Sequence, residues 1–119
     1  MPYTAYVLSI ESRKKLLKEL PPKYESIVAH HITVEFPGEE LPEELPIKVY
    51  GKVDSEDGLE TFLCSVGDDV SRSDGGMFHI TWSLIPDKYK PVDSNELIKG
   101  GKFTFFSPIT IEATPVVLG

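Results

Sequence analysis

Two stretches decide the reading of this sequence: Ile27-Val28-Ala29-His30-His31-Ile32-Thr33-Val34-Glu35-Phe36 and Met77-Phe78-His79-Ile80-Thr81-Trp82-Ser83-Leu84. Both are short, apolar and rich in β-branched residues, the composition of strands. Each contains His-Ile-Thr followed by an apolar residue. Strand side chains alternate between faces. His31 and Thr33 therefore share one face, and His79 and Thr81 share another. Ile32, Val34 and Phe36 on the first strand, and Ile80 and Trp82 on the second, take the opposite faces and are expected to pack. The same alternation turns His30 away from His31, as a packing or surface residue. Glu35 falls on the His31 face at the strand end and reads as a solvated carboxylate.

An imidazole beside a hydroxyl, presented twice, suits phosphodiester chemistry. Cleaving a P–O bond needs a base for the attacking oxygen and an acid for the leaving oxygen. Histidine titrates near neutral pH and serves as either. Threonine hydroxyls on the nonbridging oxygens stabilise the charge spread over them. One His-x-Thr is a chance event in many strands. Two in matched apolar strands carry weight, because the chain has only three histidines. Around these motifs Tyr3 is a candidate for stacking on a base. Arg72, just before the second motif, and Lys88, just after it, are candidates for a phosphate contact. A zinc site from His30, His31 and His79 is a weak alternative, since a strand turns adjacent histidines apart and zinc asks for more ligands. Gly67-Asp68-Asp69 lacks the spaced carboxylates of a calcium loop.

Working outward, Ala5 to Ile10 reads as a first strand and Glu11 to Leu20 as a helix, with Leu16, Leu17 and Leu20 on one stripe. Pro21-Pro22 stops it. Pro37 to Pro46, with three prolines and four glutamates, reads as an exposed loop. Ile47 to Val53 and Leu59 to Val66 read as strands around a turn, and Gly67 to Gly76 as a polar loop. A short helix is expected over Asp93 to Lys99. Two closing strands, Lys102 to Phe106 and Ile109 to Val117, flank Pro108. The sum is α+β, with a largely antiparallel sheet and one or two helices. A faint repeat runs through it, because an apolar strand leads to a His-x-Thr strand twice.

The 119 residues fit a single domain spanning 1–119. A net charge of -7 disfavours duplex DNA and other long nucleic acid, whose binding draws on Lys and Arg. It leaves room for a small nucleotide or an RNA end held by a few donors. The single cysteine, Cys64, sits in an apolar run and reads as a core residue, so no internal disulfide forms and a cytoplasmic setting is expected. No apolar run is long enough for a membrane span, and the N-terminus shows no secretory signal.

On these motifs the chain resembles the 2H phosphoesterase superfamily, named for its two His-x-Thr/Ser motifs. That superfamily includes bacterial RNA 2′,5′ ligase-like proteins, 2′,3′-cyclic nucleotide phosphodiesterases, and phage phosphodiesterases that destroy cyclic oligonucleotide immune signals. The resemblance spans Tyr3 to Leu84. It implies a bilobed α+β fold with its active site between the lobes. It also implies His31 and His79 as acid and base and Thr33 and Thr81 as phosphate ligands. With acid and base both supplied by histidine, no metal or other cofactor is expected. Two features depart from the pattern. The motif histidines stand 79 − 31 = 48 residues apart, closer than is usual, and only Gly67–Gly76 is available where a helix would precede the second motif. A reduced second lobe and an open cleft are the expectation. The reading from another functional class is a noncatalytic nucleotide-binding or interaction module that keeps the fold.

Overall fold

The computed structural model describes residues 1–119. The chain runs β1 (Tyr3–Leu8), α1 (Ile10–Glu19), β2 (Ser26–Ile27), β3 (His31–Glu35), β4 (Ile47–Asp54), β5 (Leu59–Val66), β6 (His79–Leu84), α2 (Ser94–Lys99), β7 (Phe103–Ile111) and β8 (Ala113–Leu118). A single 3-10 turn, Pro91–Asp93, leads into α2. Every strand pair is antiparallel. One sheet has the order β3-β1-β8 and the other β2-β6-β5-β4-β7. The architecture is α+β, as the sequence pattern implies.

Each His-x-Thr strand pairs with the apolar strand that precedes it. His31 lies opposite Val7 on β1, and His79 lies opposite Leu63 on β5. Ile32, Ile80 and Trp82 are fully buried in one apolar cluster with Tyr6, Leu16 and Phe62. The Trp82 indole stands edge-on to Phe62, 5.0 Å between ring centres. It donates its N–H to the Leu20 carbonyl at 2.9 Å, tying the end of α1 to β6. A buried indole needs such an acceptor. Ser9 caps α1 by accepting the Ser12 N–H. That cap ends β1 at Leu8 and leaves Ile10, expected at the end of the first strand, exposed on the first turn of the helix.

The expected strand Ile27–Phe36 is broken in two, and the break shapes the site. Val28 and Ala29 donate their N–H groups to the carbonyls of Trp82 and Thr81, at 2.8 and 3.0 Å, so the chain is still bound to β6 there. One residue later, the His30 carbonyl accepts from Leu8 of β1. The segment has changed sheets. Ala29 makes the change with a φ of 41°, a left-handed backbone that alanine adopts only when its surroundings impose it. The imposing contacts are the bond to Thr81 and a 2.9 Å bond from the Arg13 side chain to the Ala29 carbonyl. The crossing hangs β3 beside β6 and brings the two motifs together.

The two closing strands also differ from expectation. Pro108 lies inside β7 rather than between two strands. β7 is the edge of its sheet, and its register against β4 slips between Val49 and Gly51. Proline is tolerated at edges and bulges, where no ladder N–H is required. The chain instead turns at Glu112, whose N–H is held by the Ser12 hydroxyl at 2.8 Å. No helix is long and apolar enough to cross a membrane.

Candidate active site

β3, an edge strand, and β6, an interior strand, form facing walls. Between them lies a cavity of about 180 Å³ lined by Val28, His31, Thr33, His79, Thr81, Pro91 and Val92. All four motif residues singled out from the sequence reach it. It opens into a space of about 300 Å³ bounded by Tyr3, Phe36, Arg72, Asp74 and Asn95 together with His31, Thr33 and His79. A larger hollow of about 570 Å³ lies beyond Arg72, next to α2, and touches neither histidine.

Both imidazoles are oriented through Nδ1. His79 Nδ1 lies 2.8 Å from the Met77 carbonyl. A carbonyl only accepts, so Nδ1 carries the proton and a neutral His79 has a bare Nε2. His31 Nδ1 lies 3.0 Å from Nδ1 of His30. The His30 ring therefore does not point away from His31, as strand alternation demanded. The two rings meet at 5.2 Å and 79°, because the left-handed Ala29 precedes them and β3 starts only at His31.

Burial lowers the pKa of His31, and the neighbouring His30 and His79 lower it further. Burial also lowers that of His79. There the Met77 carbonyl and Asp74 act in the opposite direction, while Arg72 adds to the lowering. Taking an imidazolium out of water disfavours the charged form in both cases.

The two threonines differ. The Thr33 hydroxyl is half-buried at the cavity wall with no protein partner. Thr81 is buried. Its hydroxyl donates to the Pro91 carbonyl at 3.2 Å and shares a 2.8 Å bond with Ser94, which in turn bonds Thr61 at 2.6 Å. Thr81 thus ties β6 to the start of α2.

Tyr3 stands at the mouth, 5.9 Å from the His31 ring and 5.6 Å from Phe36. Phe36, expected to pack, is 59% exposed and extends this aromatic rim. It lies beyond the last residue of β3, where alternation no longer governs. Arg72 is brought to the site. Its guanidinium is held by Asp74 at 3.1 Å and Asn95 at 3.2 Å. Gly76 makes the seat possible, since a Cβ there would come within 2.2 Å of the Arg72 Nη2. Lys88 is not brought to the site and pairs instead with Asp57 at 3.2 Å. Glu35 is exposed at the strand end.

Sequence reasoning missed Arg13, which holds the Ala29 carbonyl, Met77, whose carbonyl holds His79, and Asn95 and Ser94 of α2, whose side chains hold Arg72 and Thr81; none carries a motif. No three His, Cys, Asp or Glu side chains gather as a metal-binding group. Cys64 is buried, and burial pushes its thiol pKa upward. No protein-family model, curated protein or solved structure matches this chain.

Proposed function

We propose that this protein is a metal-independent phosphodiesterase of the 2H type. Its substrate is a small nucleotide phosphodiester, either a 2′,3′-cyclic phosphate or a cyclic oligonucleotide messenger. One observation carries the reading: His31 and His79 line a single small cavity, each with its Nδ1 engaged outside it, so that each can offer Nε2 to a bound phosphate.

The surroundings divide the labour. Burial and Arg72 hold His79 below its ordinary range, and the Met77 carbonyl and Asp74 offset part of that lowering, which suits the general acid that protonates the leaving oxygen. At His31 burial disfavours the charged form and two further imidazoles add to it; this suits the base that takes the proton of the attacking oxygen. Thr33 has a free hydroxyl to donate to a nonbridging oxygen. Thr81 bonds Ser94 and Pro91 and shapes the opposite wall. Tyr3 and Phe36 offer a stacking surface for a base, and stacking tolerates any base. Arg72 supplies the cation at the mouth. The acidic chain fits a diffusible nucleotide in the cytoplasm better than long nucleic acid.

The engaged hydroxyl of Thr81 favours one second reading, a nucleotide-binding module without turnover. The test is a screen of the purified protein in EDTA against 2′,3′-cyclic mononucleotides, cyclic oligonucleotides and RNA with cyclic-phosphate ends. Cleavage of one class with EDTA present is the expected outcome. Tight binding without cleavage selects the second reading, and cleavage that EDTA abolishes and zinc or manganese restores selects a metal mechanism.

A further inference from the structure

A base at His31 needs a bare Nε2 in the cavity, and something must hold the proton on the other nitrogen. We infer that His30 is a positioning residue for His31, acting through the hydrogen bond between their Nδ1 atoms to set both the tautomer and the rotation of the catalytic ring. The kinetic part of this inference rests on the function proposed above; the tautomeric part does not.

The contact is built, since the backbone on either side of His30 is pinned. Ala29 bonds Thr81 through its N–H and Arg13 through its carbonyl, and the His30 carbonyl accepts from Leu8. The left-handed Ala29 turns the chain just before the pair, and the rings meet nearly edge to face. On its other sides His31 meets the Tyr3 ring and, across the cavity, His79, with Arg72 and Asp74 farther along the same opening. None of these is bonded to Nδ1.

An Nδ1-to-Nδ1 bond contains one proton and one lone pair. When His31 donates, its Nε2 is bare and can take a proton from the attacking oxygen. When His30 donates, His31 carries its hydrogen on Nε2 and cannot act as a base. Protonation of the exposed His30 ring fills both of its nitrogens and forces the second arrangement. The competence of His31 is therefore coupled to the charge on His30. His79 has no such dependence, because the Met77 carbonyl cannot donate.

The experiment compares wild type, His30→Ala and His30→Asn. The Asn side-chain oxygen can accept the His31 Nδ1–H but does not titrate. With whichever 2′,3′-cyclic mononucleotide or cyclic oligonucleotide the wild type cleaves, His30→Ala should lower kcat roughly tenfold to a hundredfold, with KM little changed. His30→Asn should restore most of kcat and make the acid limb of the pH profile shallower than in the wild type. In parallel, ¹⁵N spectra of the imidazoles at about pH 8, where histidine is neutral, should show His31 protonated at Nδ1 in wild type and His30→Asn, and a tautomer mixture in His30→Ala. An unchanged His31 tautomer in folded His30→Ala, or wild-type kcat and pH profile in that variant, overturns the inference. If the wild type cleaves no phosphodiester, the proposed function fails while the spectra still decide the role of His30.

Discussion

The two strands share the tripeptide His-Ile-Thr and have different surroundings. β3 lies at the edge of a three-stranded sheet, next to a backbone crossing, with a free threonine hydroxyl. β6 lies inside a five-stranded sheet between β2 and β5, and α2 locks its threonine. His79 is held by a backbone carbonyl and His31 by another titratable side chain. A motif specifies which side chains face a cavity. The sheet around it decides which of them remain available.

The largest expected effect lies where the two strands are alike. His31→Ala and His79→Ala should each lower kcat by about 10²–10⁴-fold, the usual contribution of a general acid or base, while circular dichroism shows a folded protein. Retention of wild-type turnover in either variant would remove that strand from the chemistry.

The threonines should then separate the strands. Thr33→Ala removes one hydrogen bond to a charged oxygen, about 1.5–3 kcal/mol, or roughly ten- to a hundredfold in rate, and should leave the melting temperature nearly unchanged. Thr81→Ala strips buried partners from Ser94 and the Pro91 carbonyl and should cost about 1–3 kcal/mol of stability. Thermal melts run beside the kinetics check both. If the stability loss appears in Thr33→Ala instead, the contrast between the strands is reversed.

The smallest effect is the shape of the pH profile. Burial lowers both histidines from the ordinary value of 6.5. The base must be neutral, so rate falls as pH drops below its lowered pKa. The acid must be protonated, so rate also falls as pH rises above its own lowered value. The bell of kcat/KM should therefore peak on the acid side of 6.5, with apparent values that belong to the pair. A peak well above neutrality would show that the cavity does not desolvate the imidazoles.

Much of this was legible in the sequence. Period-two alternation placed Ile32, Ile80 and Trp82 in the core and set each motif histidine on the same face as its threonine; the faint repeat of two halves, not the alternation, suggested that the two faces meet. The leucine stripe and the double proline bounded α1 to within a residue. What escaped depends on distant partners. The break at Ala29 is imposed by Thr81 and Arg13, so a strand drawn straight through it sent His30 to the wrong face. Pro108 punctuated nothing, because its strand turned out to be an edge with a bulge. Lys88 and Arg72 looked equivalent as loop cations. Only the Gly76 seat with Asp74 and Asn95, against the ion pair to Asp57, told them apart.

The proposed chemistry requires His31 and His79 to work on one phosphate as a unit. A double-mutant cycle of His31→Ala and His79→Ala on kcat/KM, in EDTA and with the phosphodiester that the wild type cleaves, tests this most directly. Groups that act together are strongly non-additive, so the double variant should be little slower than the worse single variant. A double variant whose loss equals the product of the two single losses would contradict the claim.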